Sequence, residues 1–513
     1  MEYTYAICKL RRVNMMCRRS LLLLSLGVLS AACLNAAAAL SADGKTDPTE
    51  FVEMSAETLE DKIHGGLIAQ LLGNLNGLAH ENKYYNEPGN VTHYMPALPD
   101  GARTDDDTDI EWLYIIGMQR EKTAMLAPEQ ITELWEKHIN QRIWCSNLYV
   151  RRLMDIGIDP PLTGSLALNP WANFNISGQF VCESFGLVAP GMPQTAARIG
   201  LNYTHVSIDG EPAQTTQLFT AMIATAFLTD DIDSVIDAGV ACVDPASALV
   251  PIVKDVRRWH EEYPDDWRTT RGLVRDKYTL YESRTRNQNG YELCTAATIA
   301  SLLYGNGDLV RTLIHAFNFG WDADNNAATA ATVVGVIKGR RWIRQQDWEI
   351  TDVYRNTTRP GMPEDETITG FGDRIVDVAS LVITENGGTK ISGNGKTIYR
   401  IPVEEPANVE RLARVDQQVA VLARKLRPQI RSCLLDGQAV DDYARGGYLA
   451  ICLGLAERIR SRRPELWSKA LDALRQQPEL LDVMFFKSPG PAGDKLRSAA
   501  VAAGLTEPRR SKR

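Results

Sequence analysis

Two acidic runs more than two hundred residues apart, Arg103-Thr104-Asp105-Asp106-Asp107-Thr108-Asp109 and Gly320-Trp321-Asp322-Ala323-Asp324-Asn325-Asn326, constrain this chain more than any other feature. Each stands just before an apolar stretch with helical spacing. Ile110, Leu113, Tyr114, Gly117 and Met118 follow the first run, and the Ala-rich segment Asn325 to Val334 follows the second. Carboxylates at this density repel one another unless a cation, a proton or open water separates their charges. Neighbouring residues point different ways on a helix, so Asp105, Asp106 and Asp107 converge on an ion only from an irregular turn leading into one. That position also suits capping by Thr108 or an adjacent Asp, and the helix dipole favours negative charge there. The runs offer at least five oxygen ligands with no Cys or His beside them, a donor set for magnesium, manganese or calcium rather than zinc.

The 513 residues are 44% hydrophobic, enough for one large or two ordinary globular domains. The formal charge is −8, and the first 42 residues carry a net +4, which leaves about −12 for the rest. That balance argues against a nucleic-acid backbone as the main ligand. Arg18-Arg19, the apolar Leu21 to Leu29 and the small residues through Ala42 read as an export signal, too short for a membrane span. The exported chain is expected to be periplasmic or secreted. Leu29-Ser30-Ala31-Ala32-Cys33 also offers Cys33 as a lipid anchor, with the Leu one position farther out than usual. The six later cysteines, at 145, 182, 242, 294, 433 and 452, are compatible with disulfides or with buried free thiols.

Helical periods dominate the remainder. Leu59, Ile63, Leu67, Leu71 and Leu75 recur every four residues, and Leu218, Met222, Ile223, Ala226 and Phe227 repeat the pattern, as do Val310, Leu313, Ile314 and Phe317. Lys390 to Tyr399, with Asn394-Gly395 at its centre, predicts a β-hairpin following the helices that carry the acidic runs. Arg- and Leu-rich helical sequence then runs from Asn408 to about Val483, before a basic tail at 509–513.

The segment Gly65 to Glu81 adds a third element. Small residues at 65, 69, 73 and 77 line one helical face and predict close approach of a second helix, with Glu81 where the helix gives out. Here the chain resembles the ADP-ribosylglycohydrolase family, which includes the dinitrogenase-reductase-activating glycohydrolases. That family opens with a Gly-rich helix ending Gly-Asp-Ala-Leu-Gly and a glutamate four residues on, as Glu81 follows Gly77. Its Thr-Asp-Asp-Thr is similar to Asp105-Asp106-Asp107-Thr108, with Thr104-Asp105-Asp106 as an alternative register. Its late Gly-Gly-Asp-Thr-Asp-Thr is similar to Gly320 through Asn325, and Thr204-His205 resembles its central histidine segment. The resemblance spans roughly residues 55 to 345.

It implies an all-α orthogonal bundle, expected over about 55–385, and leaves unexplained the hairpin and helical C-terminal region that the residues themselves predict over 386–513. It implies two divalent cations, Mg2+ first and Mn2+ as the alternative. Asp106, Asp107, Asp322 and Asp324 would hold them, with Asp105 and Asn325 replacing hydroxyl ligands. The implied reaction is hydrolysis of a ribofuranosyl bond to ADP-ribose, with Glu81 transferring the proton. Three positions depart from the family: Asn74 stands for Asp, Asn325 for Thr, and Trp321 for Gly. Trp321 is a candidate to stack on substrate or to fill the core. His205 is a candidate substrate contact with a structural alternative, and Asn173, Asn175, Ser177, Gly178 and Gln179 form a polar stretch around Trp171 and Phe174 suited to a sugar pocket or a surface loop. Because ADP-ribosylated proteins are chiefly intracellular, export also fits a glycosidase acting on a furanoside or other glycan, and a non-catalytic sugar- or nucleotide-binding protein is the third reading.

Overall fold

A computed structural model describes residues 50–488 and 490–508; the expected export signal, Cys33 and the basic tail lie outside the described residues. The architecture is all-α with two small three-stranded sheets. Its centre is the helix Ala56–Gly77, started by Ser55, whose hydroxyl accepts a hydrogen bond from the Thr58 N–H (3.1 Å). It packs lengthwise on the helix Ala323–Arg344, and the small-residue face forms the interface. A Cβ on Gly73 would lie 2.4 Å from the Ala327 carbonyl oxygen, and one on Gly77 2.4 Å from Asp324 Cα. Backbones this close admit no side chain at either position. The end of the first helix is thereby held against the start of the second, which carries the second acidic run.

The first run is placed differently. The strand Ala102–Arg103 pairs in parallel with Tyr354–Arg355, which pairs antiparallel with Asp365–Glu366. Thr104 donates its N–H to Arg355 O (2.9 Å), and the helix Asp106–Glu121 begins at once, with Asp105 as its extended first residue. Trp112, Leu113, Tyr114 and Ile115 bury that helix so fully that its first turn cannot drift from the sheet end.

The expected hairpin is present, Thr389–Gly393 against Lys396–Pro402, turning through Asn394 and Gly395 at φ 52° and 73°. It does more than follow the helices, because Phe51–Ser55 adds to Lys396–Pro402 as a third strand and ties the hairpin to the start of the central helix. Five residues with little alternation carried no signal strong enough to find that strand. The C-terminal helices, from Val415–Lys425 to Gly490–Ala502, form a core around Tyr448, Trp467 and Met484 that also takes in Tyr149, Leu153, Trp171 and Phe174. Tyr149 and Tyr448 share a hydroxyl hydrogen bond of 2.8 Å. The six described cysteines are free thiols. No described helix is long and apolar enough to cross a membrane.

Candidate metal centre and cleft

The two acidic runs meet at a cavity of about 440 Å3, lined by Glu81, Asp105, Asp106, Asp107, Asp322 and Asp324 together with Asn147, Asn175, Ser177 and Asn289. Glu81 reaches it from the turn after Gly77, where its N–H donates to Gly77 O (3.1 Å) and its carboxylate accepts from Asn82 (2.6 Å). Oxygens of Asp105, Asp107 and Asp324 lie within 4.8 Å of one another, and so do oxygens of Glu81, Asp322 and Asp324. Asp324 belongs to both sets, so two groups of side chains that could each hold a cation share one carboxylate. Asp106 lines the same cavity outside either set.

The electrostatics of these carboxylates by themselves are unfavourable here. Burial, then the charges of Asp324 and Asp106, holds Asp107 well above the usual carboxylate range, and burial with Asp322 and Glu81 does the same to Asp324. Asp322 is pushed up to about 8 by burial and then Glu81. Glu81 is itself raised, by burial and Asp105. Polar atoms are also left over: Asp324 Oδ1, Asn325 Oδ1 and Nδ2, and Asn74 Oδ1 are buried with no protein hydrogen-bond partner. Repelling carboxylates and orphaned oxygens are what a divalent cation would satisfy, so the residues fit the group the sequence implied.

Asn74 also ties the first run together. Its amide donates to Asp105 Oδ1 (3.1 Å) and Asp107 Oδ2 (3.0 Å), tying the two carboxylates together without adding charge. Asp109, two residues beyond Asp107, faces away from the cavity into a pair with Arg359. Both side chains are 0% exposed, Arg359 donates to Asp109 Oδ1 at 2.8 Å, and Thr358 donates to Oδ2 at 2.6 Å. Burial raises Asp109 and the guanidinium pulls it back, to about 6.

Two candidates stand elsewhere. Trp321 is 1% exposed and absent from the cavity wall; its ring lies under the Arg271 guanidinium (4.3 Å), which also binds the carbonyls of Tyr84, Tyr85 and Phe319. It therefore fills the core, and does so at φ 57° after Gly320 at φ 76°, a left-handed turn that an indole-bearing residue adopts only under tight packing. His205 also lies off the cavity wall, donating from one ring nitrogen to Ile208 O (3.1 Å) and meeting Glu410 with the other (3.1 Å). Asn325 is fully buried behind Asp324 in sequence and off the cavity wall.

Asn175 and Ser177, flagged as a polar stretch, do line the cavity, whereas Trp144, Cys145, Asn147 and Asn289 had no periodicity or motif to mark them. Asn289 could have been suspected from Asn287-Gln288-Asn289-Gly290, an amide-rich break between helices. Tyr354 approaches the first run from behind, its hydroxyl 3.0 Å from Thr108 Oγ1.

A family model described as ADP-ribosylglycohydrolase matches residues 54–387. No curated protein matches the chain.

Proposed function

Since the chain belongs to the ADP-ribosylglycohydrolase family, a family of metal-dependent glycohydrolases, we propose that it hydrolyses a ribofuranosyl glycosidic bond of an ADP-ribosyl adduct at the acidic cavity. The observation that carries this reading is Asp324, shared between the Asp105–Asp107 set and the Glu81–Asp322 set. Asp105, Asp107, Asp322 and Asp324 are the residues to hold two divalent cations, Mg2+ or Mn2+, with Asp106 beside them. Bound cations would supply electrophilic orientation of sugar hydroxyls and a more acidic water.

The chain's own groups account for the rest. Asn74 fixes the spacing of Asp105 and Asp107. Asn147, Asn175, Ser177 and Asn289 offer hydrogen bonds to ring hydroxyls and select a polar ring over an apolar one. Glu81, whose carboxylate lines the cavity beside Asp322 and Asp324, is placed to take a proton from the attacking water and give one to the departing atom. The bond from the anomeric carbon to the leaving oxygen or nitrogen breaks, water oxygen joins that carbon, and the leaving group departs protonated, as an alcohol from an O-glycoside or as the guanidine of an arginine adduct.

One observation favours a second reading, a neutral furanoside or other glycan as substrate: no lysine or arginine lines the cavity, so a diphosphate would find no side-chain cation there. Export, if the N-terminal segment directs it, would suit the same substrates. The test is turnover of ADP-ribosyl-arginine and of simple α-ribofuranosides with Mg2+ or Mn2+, by the wild-type chain and by Glu81→Gln. Hydrolysis by wild type and its loss in Glu81→Gln with cations still bound are expected. Equal turnover by both proteins would overturn the assignment of Glu81, and no turnover on any glycoside would overturn the hydrolase reading.

A further inference from the structure

The acidic cavity does not end at its own wall. A groove of about 710 Å3 adjoins it, and the two share Trp144 and Cys145. Trp144 is 63% exposed, the most exposed tryptophan among the described residues' exposed large hydrophobics, and it stands where the two spaces join. An indole left in water at that junction presents a flat apolar face to whatever leaves the cavity.

The far side of the groove is supplied by the C-terminal region, beyond the 54–387 span of the family match, through Phe485, Phe486, Lys487 and Arg497. The wall is fixed to the rest of the chain. Trp171 donates its indole N–H to Lys487 O (2.7 Å), and the helix Pro478–Phe486 packs on Cys145–Asp155.

Its chemistry narrows the occupant. Lys487 is paired with Asp482 at 2.8 Å, Arg497 is engaged by Asp494 and by Ser488 O, and Glu507 stands on the same lining, so the groove's cations are balanced by carboxylates rather than gathered into an anion site. Ser283 and Thr285 place hydroxyls along the groove beside the aromatic faces. Aromatic faces with neutral hydroxyls suit a sugar ring, whose C–H face stacks while its rim takes hydrogen bonds, better than a phosphate.

We propose that this groove is the leaving-group subsite, holding a neutral sugar ring stacked on Trp144, so that the substrate carries at least two rings with the scissile bond between cavity and groove. The assignment rests on the glycohydrolase reading and names the half of the substrate that reading leaves open.

Binding separates the two ideas. In the full chain carrying Glu81→Gln, with Mg2+ present, calorimetry is run with methyl α-D-ribofuranoside, an α-D-ribofuranosyl glucoside and ADP-ribose. The two-ring glycoside is expected to bind at least tenfold tighter than the methyl glycoside. That advantage should collapse to under threefold when Trp144→Ala is added, and equally with Thr285→Trp, an exposed position whose new ring fills the groove without touching the core. An advantage that survives both substitutions overturns the subsite, as does a gain from Trp144 confined to ADP-ribose. If the two-ring advantage obeys Trp144 and Thr285 while the wild-type chain turns over no glycoside, the subsite stands as a binding site and the hydrolase reading falls.

Discussion

Asp107 and Asp109 sit two residues apart at the start of one helix and have opposite surroundings. Asp109 turns into the core and meets Arg359 and Thr358, which satisfy both oxygens. Asp107 turns to the cavity, where its neighbours are Asp105, Asp106, Asp322 and Asp324 and its one amide donor is Asn74. A fold that invests an arginine in Asp109 could have done so for Asp107. Five aspartates and Glu81 line the cavity with no lysine or arginine on its wall, and Arg103 reaches only Asp105, at 3.8 Å, so most of this negative charge is left for a cation from outside to balance.

Removing the shared carboxylate should have the largest effect. Asp324→Asn is expected to lower kcat/KM by ~10³-fold or more, because metal stabilisation of developing charge contributes several kcal/mol. It should not lower the melting temperature of the cation-free protein, since it relieves repulsion; a steady-state assay and calorimetric melting check both halves. Arg359→Met strands Asp109 in the core and should cost about 3–5 kcal/mol of stability in urea titration. The same stability loss from Asp324→Asn would erase the distinction between the two carboxylates.

Glu81→Gln removes the titrating group but keeps an amide oxygen for the set with Asp322 and Asp324, so it should lower kcat ~10²–10⁴-fold with Mn2+ uptake retained, measured by single turnover and metal analysis. Gly73→Ala forces a methyl group against the Ala327 carbonyl and should destabilise by about 1–3 kcal/mol while displacing the start of the second acidic run, read as a lower melting temperature and weaker cation binding.

The smallest effect concerns pH. Asp322, pushed up from its ordinary 3.8 to about 8, binds more protons folded than unfolded between those values. Stability of the cation-free protein must therefore fall as pH rises through that window, and Mg2+ should raise the melting temperature more at pH 8 than at pH 5. The His205–Glu410 pair runs on its own scale. Burial opposes the imidazolium, but Glu410 outweighs it and His205 is pushed up to about 10, so its contribution is full below about pH 6.5 and fades as pH climbs toward 10.

The same comparison explains what could be read in advance. The helices, the hairpin turn and the small-residue interface follow from local period and backbone geometry, and Gly73 and Gly77 meet Ala327 and Asp324 as the spacing required. The acidic runs announced themselves by charge density. Which carboxylate faces the cavity and which the core was not legible, because Arg359 lies 250 residues from Asp109 and only the fold brings them together. Trp321 stood inside a site motif yet packs under Arg271, since the left-handed turn at Gly320 and Trp321 aims its ring away from the aspartates. Trp144 carries no pattern at all, and the groove it borders needs a C-terminal region whose docking is set by long-range burial.

The most direct test of the central claim is the number of Mn2+ ions bound per chain at equilibrium, in the wild type and in Asp324→Asn. The shared carboxylate predicts two ions in the wild type and loss of both in the variant. Tight binding of two ions by Asp324→Asn, or none by the wild type, would contradict a metal centre built on the meeting of the two acidic runs.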